Sequence, residues 1–336
     1  MDEQPFIPFP LLDNAHLMTM AAAVWPRFIS MPINAQRRLF AISDDSSLLA
    51  YCHWQSERQS RSTLLILHGM EGDCDSHYVL GLASKAFASG MNVLRLNMRG
   101  CGGTLHLTPA LYHGGMSQDV LKVLDELQQK DELLNFCLAG FSLGGNIILK
   151  TAAELGEKGG ELLSAVCAIS PAVDLAACVE QLQRGFNRFY EKRFLRSLRA
   201  KLKEKSKLYP DLYDLSPLEL VKTVRDFDET YTAPIGGFSS ADDYYARSSA
   251  LSLLSGICTP TLIIQAQDDP LVPFSSFVPD KLNNKFVTML APEHGGHGGF
   301  VQREVEQPPV FDRFWAENRA VNFCLRMTDS TGGKQS

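Results

Sequence analysis

A serine stands between two glycines in Gly140-Phe141-Ser142-Leu143-Gly144, the spacing with which a sharp strand-to-helix turn presents a nucleophilic hydroxyl. Such a hydroxyl is inert at neutral pH unless a base takes its proton and an acid orients that base. Both partners follow in the order serine, acid, histidine: Asp268-Asp269-Pro270 after an apolar strand at 261–266, and His294-Gly295-Gly296-His297-Gly298-Gly299 after another at 286–290. Asp269 is preferred to Asp268 because Pro270 keeps it out of helical backbone space. His297 is preferred to His294 because glycines on both sides let the loop fold its imidazole over the serine. Asp268 then caps a turn and His294 is a surface residue. Two backbone N–H groups would stabilise the oxyanion: that of Leu143, opening the helix after the nucleophile, and that of Met70 in His68-Gly69-Met70. His68 precedes Ser142 in the chain and is read as orienting its loop rather than as the base. The chemistry implied is acyl transfer through a covalent serine ester.

Positioning these groups requires strands that end where they begin. Residues 133–141 form an apolar run suited to a central strand buried on both faces, and 143–155 can form a helix with Leu143, Ile147, Ile148 and Ala152 on one side. A Cβ at position 140 or 144 would collide with neighbouring backbone, and Gly145 lets the helix lie close to the sheet. Residues 133–149 carry no charge, yet Asn135, Ser142, Asn146 and three glycines, followed at once by Lys150, fit a buried strand-turn-helix better than a membrane span. Further strands are expected at 63–67, 92–96 and 165–169, with helices at 78–88, about 116–129 and about 310–326, and a hairpin at 37–54 turning at Asp44-Asp45-Ser46. The alternation gives an α/β fold with a mostly parallel, doubly wound sheet. It is interrupted at 176–250 by a helical insertion, whose helix at 178–205 repeats Leu182, Phe186, Tyr190, Phe194, Leu198 and Leu202 every four residues. The expected organisation is an arm at 1–34 laid on the body, a core at 35–175 and 251–327, a cap at 176–250 and a disordered tail at 328–336.

At 336 residues, 45% hydrophobic and 21% charged, the chain is globular, and a net charge of −6 argues against nucleic acid as a partner. The charge is uneven: residues 181–207 hold ten Lys or Arg and two Glu, leaving about −14 on the rest. Eight cysteines without paired spacing read as reduced, mostly buried thiols. Asp2 and Glu3 stand where a secretory signal needs bases, so a cytoplasmic location is expected. No H-E-x-x-H or Cys/His cluster calls for a metal, His294-x-x-His297 lacks a third ligand, and 100–104 lacks the Gly-Lys-Ser/Thr of a phosphate loop, so no cofactor is expected.

The chain resembles the α/β-hydrolases, and within them the YheT-like branch related to the animal ABHD lipid hydrolases. The resemblance spans nearly the whole chain and rests on Gly140 to Gly145, Asn14 to Thr19, His68-Gly69, Asn97 to Cys101, Tyr112 to Gly114, Asp243 to Tyr245, Asp268 to Val272 and Gly295 to Phe300. It implies an α/β-hydrolase fold with the triad Ser142, Asp269 and His297 and carboxylic ester hydrolysis as the activity, with Asn97, Arg99, Tyr112 and His113 structural. The expected substrate is a small-molecule ester with a small to medium acyl chain, lipid esters included. A thioesterase or acyltransferase using the same triad, or a non-catalytic binding protein on this fold, are the alternatives. The basic segment 181–207 is read as a solvated cap helix in preference to a weak peripheral contact with an anionic bilayer.

Overall fold

Strands buried on both faces need apolar residues at every position, and the centre of this chain supplies them. The computed structural model describes residues 5–27, 29, 31–32, 35–277, 282–304 and 310–332. A helix α1 (Ala15–Val24), capped by the Asn14 side chain, precedes a hairpin of β1 (Gln36–Ser43) and β2 (Ser46–His53). Then come β3 (Thr63–Leu67), α2 (His77–Ala88), β4 (Asn92–Leu96), α3 (Ser117–Asp131), β5 (Phe136–Phe141), α4 (Leu143–Leu155) and β6 (Leu163–Ile169). Inserted between β6 and β7 are α5 (Leu175–Leu182), α6 (Arg188–Leu208) and α7 (Ala241–Ser248), with shorter helical turns between them. The chain returns as β7 (Thr261–Ile264) and β8 (Val287–Leu290) and ends in α8 (Trp315–Gly332).

These strands form one eight-stranded sheet in the order β1-β2-β4-β3-β5-β6-β7-β8. It is mostly parallel: β1 and β2 are antiparallel to their neighbours and the other pairings are parallel. Successive strand residues point to opposite faces. Leu65, Leu94, Leu138 and Ile263 pack under α3 and α4, while Leu64, Val93, Cys137 and Leu262 pack under α2 and α8. Among the described residues no helix is long and apolar enough to cross a membrane.

Three expectations need correction. The nucleophile strand begins at Phe136 rather than at 133, with Leu134 61% exposed before it. The single helix expected over 178–205 is two, α5 and α6, because Gly185 adopts φ +48° and breaks the helix between them. The last helix begins at Trp315 and runs to Gly332, so the tail read as disordered from 328 is helical as far as Gly332. Polar Thr328 and Asp329 extend a helix that the apolar face before them already nucleates. Residues 333–336 lie outside the described residues.

The turn after β5 depends on missing side chains. A Cβ on Gly140 would lie 2.5 Å from the Gly144 carbonyl oxygen, and one on Gly144 would strike the His68 carbonyl oxygen and reach 2.6 Å from that of Leu67. Gly145 would bring its Cβ to 2.9 Å from Pro171, which is why α4 sits so close to the end of β6. Neither β3 nor α4 can withdraw without breaking its own ladder, so Gly144→Ala is expected to cost about 3 kcal/mol or more of folding free energy. Gly103, by contrast, has positive φ, +76°, but open space around it. Gly103→Ala should therefore cost only the left-handed strain, about 1–2 kcal/mol, and urea midpoints of the two variants measure the contrast.

Candidate active site

Ser142 occupies φ +53°, ψ −117°, a conformation a residue with a Cβ adopts only when its surroundings impose it. Its backbone is held on both sides: the Ser142 N–H donates to the Ile169 carbonyl at 3.0 Å, and the Ser142 carbonyl accepts from Asn146 and Ala172, both at 3.1 Å. With the backbone committed in this way, the side chain lines a cavity of about 590 Å³. The Leu143 N–H opens α4 and has no intrahelical acceptor. Met70, Leu143 and His297 line the same cavity.

His297 and Asp269 are in contact. The His297 Nδ1 lies 2.9 Å from Oδ2 and 3.1 Å from Oδ1 of Asp269, whose side chain is completely buried. The carboxylate is fixed from behind: Oδ1 accepts the N–H groups of Leu271 at 2.8 Å and Val272 at 3.0 Å, and Oδ2 accepts the Gln265 amide at 3.1 Å. A carboxylate so surrounded by donors leaves the ring nitrogen facing it to be the protonated one, which directs Nε2 away from Asp269. Asp268, the neighbouring acid, accepts the Gly296 N–H at 2.9 Å and lies 3.4 Å from His294, and partial burial moves its pKa upward. It ties down the histidine loop, and His294 is half-exposed beside it.

The arm also holds that loop. The Thr19 hydroxyl accepts the His297 N–H at 2.8 Å while donating to the Ala15 carbonyl at 2.7 Å, and Ser170 accepts the Gly298 N–H at 2.9 Å. Gly296, at φ +58°, approaches so closely that a Cβ would lie 2.6 Å from both Ala15 O and Thr19 Oγ1.

The loop after β3 is a tight turn closed by Gly72 N–H on Gly69 O, with the non-glycine residue Glu71 at φ +57°. His68 is fully buried beneath it. Its Nε2 accepts the Met98 N–H at 3.1 Å, leaving Nδ1 to donate to Gly69 O at 2.7 Å, and burial pushes its pKa down to about 4. It therefore stays neutral and bonds backbone at both nitrogens. The Glu71 carboxylate, 6% exposed, accepts from Tyr112 Oη at 2.6 Å, from Lys201 Nζ at 2.7 Å and from the Ser197 hydroxyl. Burial opposes its charge, but Lys201 and these hydrogen bonds outweigh that and hold the carboxyl below its ordinary value. Burial likewise opposes the charge on Lys201, and its contacts with Cys101 and Glu71 outweigh it and raise the ammonium. The insertion helix α6 is thus bonded to the residue next to Met70.

The remaining singled-out residues support the loops. Asn97 accepts the Cys74 N–H at 2.9 Å, Arg99 pairs with Asp119 through two bonds of 2.6 and 2.8 Å, and His113 meets Phe238 and Tyr244 edge-on. All eight cysteines are free, and each is buried except the half-exposed Cys258. Sequence reasoning gives no role to Thr19, Ser170, Gln265, Glu71, Ser197 or Lys201. Thr19 enters it only as the end of the Asn14 to Thr19 segment of the resemblance, and Glu71 leaves a local trace as a charged residue inside the short Gly69 to Gly72 turn.

The profile of the α/β hydrolase fold family matches residues 62–304, from β3 through the histidine loop, and the chain belongs to that family. Its relatives include the putative esterase YheT of Escherichia coli strain K12, 33% identical over 94% of this chain and 91% of its own length. The monoacylglycerol lipase of Saccharomyces cerevisiae is 28% identical over 80% of this chain and 60% of its own length. Phospholipase ABHD3 of Mus musculus is 27% identical over 73% of this chain and 60% of its own length. Among solved structures, the Pyrococcus furiosus esterase Pf2001 superposes with a TM-score of 0.57 at 16% identity, covering 90% of this chain and 98% of its own, a likeness of fold alone.

Lys201→Met leaves the Glu71 carboxylate buried without its cation, and breaking such a pair costs about 3–5 kcal/mol. Glu71 is depressed from 4.5 and Lys201 raised from 10.5, so their contribution is complete between those two values. It is lost as pH falls through the Glu71 value or rises through the Lys201 value. In the variant Glu71 protonates more readily, so the penalty should be larger at about pH 8 than at about pH 5, as urea midpoints across that range will measure.

Proposed function

We propose that the protein is a serine hydrolase that cleaves carboxylic esters through an acyl-enzyme, with Ser142 as nucleophile, His297 as general base and acid, and Asp269 orienting the histidine. The observation that carries this reading is the 2.9 Å contact of His297 with fully buried Asp269, on a loop facing the cavity that Ser142 enters from its strained turn. In the first half-reaction Ser142 Oγ attacks the ester carbonyl carbon while His297 Nε2 takes its proton. The carbonyl π-electrons move onto oxygen, and the Met70 and Leu143 N–H groups receive that charge. Collapse expels the alkoxide, His297 returns the proton to it, and the alcohol leaves. Water repeats the sequence on the serine ester, releasing the carboxylic acid and restoring Ser142.

The cavity supports an acyl substrate. Its volume of about 590 Å³ lies within the roughly 300–1,000 Å³ of small-molecule sites. Beyond the serine it is walled by Leu175, Val179, Leu182, Leu198, Phe227 and Val272, which match a small to medium hydrocarbon chain, lipid esters included. In this reading residues 176–250 cap a core of 35–175 and 251–327, and the arm braces the histidine.

Ser142→Ala is expected to abolish turnover of p-nitrophenyl esters and labelling by a fluorophosphonate while leaving the thermal midpoint near that of the parent. Retained turnover would refute the assignment. Asp269→Asn should lower kcat by about 10⁴-fold, because the imidazole is then held in the wrong tautomer. A panel of p-nitrophenyl esters of increasing chain length reads the acyl preference. Thr19→Val removes the acceptor of the His297 N–H together with the hydroxyl's own bond to the Ala15 carbonyl, so kcat is expected to fall more than about fivefold with KM changed less than twofold, as a displaced reacting group requires.

A further inference from the structure

The helix break at Gly185 brings an aromatic residue to the surface. Had the helix continued, Phe186 would follow Leu182 and precede Tyr190 on the buried stripe, but the break turns it outward, 52% exposed. It stacks against Phe189, itself 54% exposed, with ring centroids 5.8 Å apart and planes at 30°. The aromatic pair is anchored from below, where His16 of α1 lies 4.7 Å from the Phe186 ring and 3.3 Å from the Tyr190 hydroxyl. Single exposed apolar residues are ordinary, whereas a stacked, anchored pair of phenylalanines is a contact surface.

The exposed charges that α6 sets on the face of Phe189 are of one sign. On α6 the positions of Phe189, Lys192, Arg193 and Arg196 fall at i, i+3, i+4 and i+7, hence on one face, and all four are exposed. The ion pairs of this region join Arg184 to Glu180, Lys201 to Glu71 and Lys207 to Glu204, and none involves Lys192, Arg193 or Arg196 among the described residues. Elsewhere the protein is acidic, with about −14 outside residues 181–207. This face can therefore approach a negative surface without the repulsion that the net charge of the rest of the chain would bring. It also adjoins the site, since Arg193 is both exposed and part of the cavity wall, so the cavity reaches the surface beside the patch.

We propose that this face docks the protein on an anionic lipid surface, with Phe186 and Phe189 entering the interface, the unpaired cations meeting the headgroups, and the cavity opening turned toward the lipid. The apolar pair supplies insertion and the cations supply choice of lipid, the combination that holds amphipathic helices at bilayer surfaces. The docking deepens the esterase reading by delivering lipid esters to the cavity, but it is measured without turnover and stands or falls separately.

The full chain is sedimented with vesicles of phosphatidylcholine alone and with vesicles that also contain phosphatidylglycerol. Binding is expected on the anionic vesicles, weakly or not at all on the neutral ones, and is expected to weaken with added salt. Phe186→Ser/Phe189→Ser should reduce partitioning at least about tenfold. Lys192→Gln/Arg196→Gln should reduce it roughly 25-fold, on the order of fivefold per charge. Both variants alter exposed side chains only, so their thermal midpoints and hydrolysis of a short water-soluble ester are expected to match the parent. No binding to anionic vesicles, equal binding to neutral ones, or undiminished binding by both variants would overturn the proposal. So would a dimer in light scattering that dissociates in Phe186→Ser/Phe189→Ser, because the face would then cover a second copy. Loss of esterase activity in every form, with vesicle binding intact, would count against the proposed chemistry and leave the docking standing.

Discussion

The contact on which the molecule turns is between Gly144 and the carbonyl oxygens at the end of β3. Two backbones approach within a distance that excludes any side chain, and this brings the first turn of α4 against the loop that begins at His68. Beside that approach Ser142 stands at positive φ, and Leu143 and Met70 line one cavity with it. Strain at Ser142 is sustained because β5, β6 and α4 each have their own ladder to keep. Buried His68 plays the complementary part from below, with one nitrogen on Met98 and the other on Gly69, so the loop is fixed by a neutral ring whose state does not change with pH in the ordinary range.

A second level of organisation brings distant segments to the histidine loop. Asp269 is oriented by the N–H groups of the two residues after Pro270, so the proline's role is to let the chain curl back onto its own carboxylate. Asp268, Thr19 and Ser170 each take one N–H from the glycine-rich loop at Gly296, His297 and Gly298. A loop with three glycines at positive φ has little preference of its own. Its conformation is imposed by acceptors on three other parts of the chain, at the cost in backbone entropy that glycine carries.

What could be read from the sequence follows from the range of the interaction. The strands 63–67 and 92–96 and the helix 143–155 coincide with β3, β4 and α4, because apolar runs and glycine punctuation are local signals. The contact of His297 with Asp269 is legible because the topology of a parallel sheet brings the ends of successive strands, and the loops after them, to one edge. Gly185 was missed because a lone glycine is tolerated within a helix, and the four-residue repeat runs through it unbroken. Thr19, Glu71 and Lys201 were missed for a different reason. Their partners are 278 and 130 residues away, and no periodicity encodes such a distance.

The insertion shows why substrate choice lies beyond pattern. It has a hydrophobic cluster of its own, in which Leu195, Leu198, Leu202, Tyr213, Leu218 and Phe227 are buried together with Leu111. Its joints to the rest of the molecule include many polar contacts: Lys201 to Glu71, the ammonium of Lys205 to the Thr108 carbonyl, the hydroxyl of Tyr213 to the Pro109 carbonyl, and Asn187 to the Pro270 carbonyl at 2.5 Å. Apolar packing tolerates exchange of shape so long as volume is kept, whereas a buried polar joint is sensitive to loss of either partner. Substitutions inside the insertion's cluster can therefore reshape the cavity wall while these joints hold the insertion in register over Ser142. Variation in what the cavity admits is separated, physically, from the contacts that fix the Ser142 turn and hold His297 against Asp269.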